Sequence, residues 1–191
     1  LTVLFTNLHN SVKKLQGLVL YLPGMKLPRE SVEVLATKTL PNLDKLVNFN
    51  MTFYKTMITD SDLKSLFSGL KGTLKTIKSF VLALCEEIIT DEGLDYLTNE
   101  VIPMLGSVEN FKLWLCNAKI GDESFIRFNK KLQVVGEKIV DFLLNIEKTG
   151  ITNESDNEFA LGTLPKMKKL KTMDLKFGEV KINDDSIVNL F

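Results

Sequence analysis

Few residues of this 191-residue chain can carry acid–base, phosphate-binding or redox chemistry. His9 is the only histidine, so a histidine-based catalytic pair would depend on one residue near the N-terminus. Arg29 and Arg127 are the only arginines, which leaves few groups for bidentate recognition of phosphate or carboxylate. The glycines are scattered, and no glycine-rich phosphate loop occurs. These shortages indicate a protein that is not an enzyme and has no cofactor, no metal and no small-molecule substrate.

Cysteine is also scarce. Cys85 and Cys116 are too few for a disulfide framework and lack the paired spacing of a zinc site. We therefore expect two free thiols, packed as small core-facing residues, and a reducing compartment. No apolar run approaches the roughly 18 residues of a membrane span. The sequence thus predicts an intracellular protein, cytoplasmic or associated with the cytoskeleton, with no membrane partner.

Net charge gives no sign of a polyanionic partner. Lysine and arginine together number 24, and they balance 24 acidic residues. A local group of lysines near the C-terminus comprises Lys166, Lys168, Lys169, Lys171 and Lys176. Because no aromatic residues are interleaved with these lysines, we predict no nucleic-acid partner.

An apolar pattern recurs every 31 residues along the whole chain. It has the form apolar-x-x-apolar-x-apolar-x-apolar and begins at Leu15, Leu46, Ile77, Val108, Ile139 and Leu170. The alternation in its last three apolar positions is typical of a short strand with one buried face. A turn follows, and apolar residues then recur at spacings of three and four, which indicates a helix. Each unit is therefore predicted to be a strand, a turn and a helix.

Polar residues occupy the start of each predicted helix. They are Asp60, Asp91, Asp122, Asn153 and Asp184. We interpret this row as helix caps rather than as metal ligands, because calcium would need further oxygen ligands at each site. Asp156 stands where other units have a core leucine, so we expect a shifted or frayed helix over residues 154–162.

The unit beginning at Ile77 continues through Phe80, Leu82, Cys85 and Leu94, and this phrase resembles a leucine-rich repeat. The resemblance is to the ribonuclease-inhibitor-like and cysteine-containing types, although 31 residues exceed the usual repeat length of about 20–29. It implies an α/β solenoid shaped like a curved horseshoe, with a parallel concave sheet and convex helices. It also implies a protein that binds other proteins.

The period predicts one leucine-rich repeat domain over residues 1–191. Residues 1–14 match the helical half of an earlier unit, and the last residues stop just inside a helix. Since both ends fall within a unit, we expect the chain to be part of a longer array.

Residues between the buried strand positions are expected on the concave face, where most are small and polar. An apolar patch interrupts them, and Trp114 is the only tryptophan of the chain. Exposed aromatic clusters are candidates for interface hot spots. We predict a protein-binding site that consists of Trp114, Lys112, Val81, Ala83, Leu143 and the more distant Tyr21.

The predicted function is a non-catalytic protein–protein interaction module, or a scaffold subunit of a larger assembly. One alternative is a substrate receptor of a ubiquitin ligase, which would require an F-box outside this chain. Another is a GTPase regulator of the leucine-rich repeat type, which needs an exposed functional residue such as Arg29. Extracellular recognition is a further alternative, and it would predict a signal peptide, capping disulfides and glycans.

Overall fold

The computed structural model describes residues 1–8 and 12–181. Within these residues, six strands form one sheet in chain order. The strands are β1 (Gly17–Pro23), β2 (Asn48–Tyr54), β3 (Ser79–Cys85), β4 (Asn110–Trp114), β5 (Asp141–Asn145) and β6 (Thr172–Lys176). The α-helices are α1 (Thr2–Leu8), α2 (Arg29–Val34), α3 (Asp60–Leu70), α4 (Asp91–Tyr96), α5 (Asp122–Gly136) and α6 (Asn153–Asn157).

All strand pairs are parallel, and their register joins residues 31 positions apart. Gly17 pairs with Asn48 at one side of the sheet, and Asn145 pairs with Lys176 at the other. The same position of successive strands therefore forms a straight row across the sheet. This architecture confirms the predicted parallel α/β solenoid, whereas the ribonuclease-inhibitor-like subtype stays a prediction.

Phenylalanine rings form a continuous stack on the inner face of the sheet. Phe49, Phe80, Phe111 and Phe142 occupy one row, with successive ring centroids 5.3, 5.5 and 6.0 Å apart. Rings from the helical segments pack against this row, as Phe67 does on Phe49 at 5.7 Å. Offset aromatic packing adds to the hydrophobic gain of burying these large side chains. The predicted inward strand positions are therefore the core.

In three of the helical segments a short α-helix is followed by a wider π-helical turn and then by a tighter 3₁₀ turn. A π-helical turn follows α2, α4 and α6, over Leu35–Thr39, Leu97–Val101 and Glu158–Thr163 respectively. Each π turn leads into a 3₁₀ turn that contains Pro41, Pro103 or Pro165. Because proline lacks an N–H group, it ends the helical hydrogen-bond pattern at this position.

The row of aspartates joins neighbouring units instead of capping its own helices, which corrects our prediction. Thr59, Thr90 and Thr152 are the N-cap residues of α3, α4 and α6, with Gly121 at the N-cap of α5. Asp122 accepts hydrogen bonds from the backbone N–H of Thr152 at 2.8 Å and its hydroxyl at 2.7 Å. It also accepts one from the Ser155 hydroxyl at 2.6 Å.

Desolvation alone would raise the pKa of Asp122, but the hydrogen bonds from Ser155 and Thr152 outweigh it and hold that pKa below its ordinary value. Asp60 accepts equivalent bonds from the N–H and hydroxyl of Thr90 at 3.0 and 2.6 Å. Asp91 accepts bonds from the next unit in the same way. The aspartates thus tie each unit to the following one.

Asp156 does not displace its helix, so the predicted fraying is wrong. Helix α6 begins at Asn153, one period after the first residue of α5. Asp156 is 1% exposed, and its Oδ2 atom has no hydrogen-bond partner among the described residues. Burial raises the pKa of its carboxyl. Tertiary packing has kept the helix in place at the cost of a buried carboxyl group.

The two cysteines form a disulfide, so the prediction of free thiols is wrong. Cys85 ends β3, and Cys116 lies two residues beyond β4, with Cα atoms 4.7 Å apart. The constant register places both residues at one position of successive units, which brings them within bonding distance. This finding also removes the cysteine-based argument for a reducing compartment.

Some predicted features lie outside the described residues. They include His9, the polar residue Asp184 and the predicted helix around residues 187–190. Among the described segments, no helix combines the length and the apolarity needed to cross a membrane.

Candidate protein-binding face of the sheet

One face of the sheet packs on the helices, and the other is left uncovered by the described residues. Strand burial alternates accordingly, as in β2, where Phe49, Met51 and Phe53 are buried and the residues between them are not. We call the uncovered side the open face, and it corresponds to the predicted concave face. Most of its side chains are half-buried or exposed and are available for contacts outside the chain, whereas Cys85, Leu143 and Asn145 are buried.

A depression of about 370 Å³ crosses the open face from β1 to β4. Three aromatic side chains surround a floor of small residues. We call it the aromatic depression, and it is lined by Tyr21, Asn50, Thr52, Phe53, Tyr54, Val81, Ala83, Cys85 and Trp114, of which Phe53 and Cys85 are buried. None of these residues carries a charge at neutral pH, so the depression suits an uncharged group.

The structure brings four of the six predicted site residues together. Tyr21, Val81, Ala83 and Trp114 all line the aromatic depression, and Tyr21 is 69% exposed. Lys112 is half-buried on the open face, outside the lining. The remaining residue, Leu143, lies between Lys112 and Asp174 in the sheet register.

Leu143 is 8% exposed and therefore offers almost no accessible surface, although it lies on the open face as predicted. Period-two alternation predicts the face on which a side chain lies, but not how far that side chain is exposed.

Tyr54 is a site residue that the sequence analysis missed. Its hydroxyl donates a hydrogen bond to Glu86 Oε1 at 2.9 Å. The ammonium group of Lys55 lies 4.9 Å from the Tyr54 ring centroid and 3.2 Å from the Glu86 carboxylate. The Tyr54 hydroxyl bond lowers the pKa of Glu86 below its ordinary value. These contacts hold the Tyr54 ring at the rim of the depression.

The turn after each strand has the same backbone conformation. One residue per unit has a φ between 57° and 68°, and these are Gly24, Lys55, Glu86, Asn117, Lys148 and Glu179. Non-glycine residues with such φ angles are uncommon, so their recurrence shows that the fold imposes this turn. The turn places the charged side chains of Lys55 and Glu86 beside Tyr54.

Glu87 holds the turn from the inside. This buried carboxylate accepts hydrogen bonds from the backbone N–H groups of Thr56 at 2.7 Å and Ile58 at 2.8 Å. It also accepts a hydrogen bond from the Thr56 hydroxyl at 3.1 Å. A carboxylate that satisfies three buried donors fixes the segment that follows Tyr54. The aromatic depression is therefore built on a rigid edge.

Charge divides the open face into two halves. The twelve open-face positions of β1–β3 carry no charge, and we call them the uncharged half: Gly17, Val19, Tyr21, Pro23, Asn48, Asn50, Thr52, Tyr54, Ser79, Val81, Ala83 and Cys85. The open-face positions of β4–β6, which we call the charged half, include Lys112, Asp141, Asp174 and Lys176. Trp114 borders the uncharged half, and the aromatic depression lies there.

Within the part of the chain that the structure describes, no three or more histidine, cysteine, aspartate or glutamate side chains come together in a way that could hold a metal. The row of aspartates is occupied by hydrogen bonds between units.

A parallel sheet built from units in a 31-residue register, with helices on one face, defines a leucine-rich repeat solenoid. No protein-family model matches this chain. No curated protein matches it either.

Solved structures that are similar to the chain include an internalin and a leucine-rich repeat protein. An internalin from Listeria monocytogenes is 16% identical with a TM-score of 0.41, and the match covers 97% of this chain and 60% of that one. A leucine-rich repeat protein from Leptospira interrogans is 14% identical with a TM-score of 0.31, covering 96% and 60%. The chain thus spans about three fifths of the length of either structure. Similarity at this level carries no argument about function.

Proposed function

We propose that this chain is a non-catalytic protein-interaction module, or a scaffold subunit of a larger assembly, that binds a protein partner through the aromatic depression. The observation that carries the proposal is an uncharged, aromatic-lined depression on an uncovered sheet face. Tyrosine and tryptophan are the residues most enriched at interface hot spots, because they bury large areas with little loss of conformational entropy.

The rigidity of the site supports this role. Tyr54 is held by Glu86 and Lys55, and the strands beneath it belong to a continuous hydrogen-bonded sheet. A partner would therefore meet a preorganised surface, and binding would cost less ordering of side chains. The alternation along β4 places Trp114 outward and the buried Leu113 inward, so the indole is not needed to fill the core.

Photo-crosslinking tests this proposal directly. Benzoylphenylalanine placed at position 21 should give discrete crosslinks to a partner protein, because this position lines the depression. The same group at position 174, in the charged half, is the matched control on another exposed strand residue. We expect the crosslinks from position 21 to be lost in the Trp114→Ala background. Equal crosslinking from both positions, or none from position 21, would refute the proposal.

No contact of the described residues favours the narrower alternatives. Arg29, which a GTPase-regulator role would need, is exposed at the start of α2 and lines a separate groove of about 750 Å³ on the helix side. Glu33 and Asp62 also line that groove, so its charges are mixed. A ubiquitin-ligase role depends on residues outside this chain.

For the compartment, the disulfide favours an oxidising environment over the cytoplasmic or cytoskeletal location predicted from the sequence. Counting free thiols in protein purified with an alkylating agent present tests this point directly. Two alkylated cysteines per chain would favour the reducing compartment predicted from the sequence. No alkylated cysteine would support the disulfide and an oxidising compartment.

A further inference from the structure

The lining of the aromatic depression is specific enough to indicate the chemistry of its occupant. We propose that it binds an uncharged, proline-rich segment of the partner in the polyproline II conformation. This inference rests on the proposed function, because it names the part of the partner that the same site contacts. Three properties of the lining carry it: neutrality, unengaged N–H donors and the spacing of its rings.

Neutrality excludes a charged occupant. The lining has no ionisable carboxylate or ammonium group, and Lys55 and Glu86 pair with each other and contact Tyr54. Lys112, beside Val81 in the sheet register, lies just outside the lining and has no ion pair among the described residues. A charged side chain from a partner would lose hydration in the depression without gaining an opposite charge within the lining. The occupant is therefore neutral over the length of the site.

Two N–H groups of the lining are unengaged, and the Tyr21 hydroxyl also has no partner among the described residues. Thr52 donates its hydroxyl to Asn50 Oδ1 at 3.4 Å, so the amide oxygen is engaged while the Asn50 NH₂ group is not. The Trp114 indole N–H also has no acceptor among the described residues. Both groups are donors only. They require carbonyl oxygens from the occupant, and an X–Pro amide offers a carbonyl without bringing an N–H group of its own.

The rings are spaced for a short extended segment. Tyr21, Thr52, Ala83 and Trp114 occupy one row, on four adjacent strands. Three strand spacings separate the outer two residues by about 14 Å. A polyproline II helix rises about 3.1 Å per residue, so four to five residues span the row. Thr52 and Ala83 leave a low floor between the rings, and aromatic-lined grooves of this kind bind proline-rich segments.

A neutral oligosaccharide would also stack on aromatic rings, but its hydroxyl groups bring donors that need strong acceptors. The lining has no carboxylate, and its acceptors are the Asn50 amide oxygen, which already accepts one bond from Thr52, and the neutral hydroxyl oxygens of Tyr21, Thr52 and Tyr54. A proline-rich segment leaves no such donors unsatisfied. The observations therefore favour the peptide, and the sugar becomes an outcome of the test.

Titration of the purified chain with acetylated decaproline amide tests the inference. Trp114, the only tryptophan, reports binding through its fluorescence emission. We expect a saturable change in emission. Asn50→Asp should weaken binding at least tenfold, since it replaces the donor amide with a charged acceptor of the same shape. Asn48→Asp, on the same strand and face but outside the lining, is the matched control and should change binding less than twofold.

Several results would overturn the inference. They are no saturable change in emission, equal binding of a neutral glycine–serine–alanine peptide, equal weakening by both asparagine substitutions, or binding of cellohexaose in place of decaproline. A partner that crosslinks from position 21 through a segment without proline would overturn this inference and leave the proposed function standing. The absence of any crosslinked partner would refute the proposed function itself.

Discussion

The uncharged and charged halves of the open face share one backbone and one register, but they differ in charge and in the contacts of particular side chains. In the charged half, the Asn145 amide donates to Glu147 at 2.9 Å, and Asp174 lies 3.9 Å from Lys176. In the uncharged half, the Asn50 NH₂ group and the exposed Tyr21 hydroxyl have no partner among the described residues.

This contrast teaches where an interface is to be sought on a regular repeat surface. Side chains that pair with each other gain little from a partner, because binding would have to replace contacts that already exist. Uncharged groups that are rigid and unsatisfied gain both buried area and new hydrogen bonds. The repeat supplies the same backbone to both halves, so side chains alone decide which half binds.

The largest expected effect separates the two faces of β4, at the boundary of the halves. Leu113→Ala should lower the free energy of unfolding by about 2–5 kcal/mol, because Leu113 is 1% exposed in the core. Trp114→Ala should cost little stability and weaken partner binding. Urea unfolding of both variants measures the difference. Equal destabilisation would show that Trp114 belongs to the core and that the open face has been assigned wrongly.

The disulfide joins the last strand of the uncharged half to the unit that begins the charged half. Removing it in the Cys85→Ser, Cys116→Ser variant should cost about 2–4 kcal/mol, since it closes a 31-residue separation. Denaturant unfolding with and without a reducing agent provides the measurement. Reduction should lower the unfolding midpoint of the native protein but leave that of the double variant unchanged. An unchanged unfolding midpoint on reduction of the native protein would contradict the bond.

The aspartates between units allow a matched comparison on the helix side. Asp122→Ala should lower the free energy of unfolding by about 1–3 kcal/mol, because it leaves the Thr152 N–H and two hydroxyl groups without their acceptor. Asp60→Ala removes the two bonds from Thr90 and should cost less. A larger loss for Asp60→Ala would contradict this ranking.

The pH dependence of the same carboxyl follows from its lowered pKa. The stabilisation from Asp122 is fully present above its unfolded pKa of about 3.8 and is lost as the pH falls through the lower folded value. Asp122→Asn should therefore flatten the dependence of unfolding free energy on pH in this acid range. An unchanged slope would show that Asp122 does not contribute to the pH dependence of the unfolding free energy.

Asp156 is expected to act in the opposite direction. Because its folded pKa is raised, its contribution is most favourable below the unfolded pKa and is lost as the pH rises through the folded value. Asp156→Leu should raise the unfolding free energy at pH 7 by about 1–2 kcal/mol, since Leu63 and Leu94 fill this position in other units. Thermal unfolding of the native protein and the Asp156→Leu variant at pH 4 and pH 7 tests this. A lower unfolding temperature of the variant at pH 7 would contradict the prediction.

The smallest effect is expected in the charged half. Lys176→Ala removes an exposed ion pair with Asp174 and should change the unfolding free energy by less than about 0.5 kcal/mol. Urea unfolding and the decaproline titration together check the variant. A loss of decaproline binding in Lys176→Ala would break the distinction between the halves.

The fold was predictable because the spacing never changes. Once Leu46 and Ile77 were known to open equivalent units, the buried and outward positions of every strand followed from their alternation, and the register pairs them as expected. The same spacing also contained the disulfide, since Cys85 and Cys116 are one period apart. Two cysteines are too few for a disulfide framework, but their shared position in successive units places them within bonding distance.

The candidate site was predictable only in part. Trp114 and Tyr21 were found from their phase, but Tyr54 lies at the strand end, where the sequence reads as a variable turn. Leu143 lies on the predicted face but is buried, because alternation predicts the face of a side chain and not its exposed fraction. Asp156 stayed helical because the units on its N-terminal side impose their packing over local preference.

The most direct test of the account compares binding of the crosslinked partner to two matched variants, Tyr21→Ala in the uncharged half and Asp174→Ala in the charged half. Isothermal titration calorimetry with the purified partner gives both dissociation constants. The account predicts at least tenfold weaker binding for Tyr21→Ala and a change of less than twofold for Asp174→Ala. The reverse order would show that the charged half carries the interface.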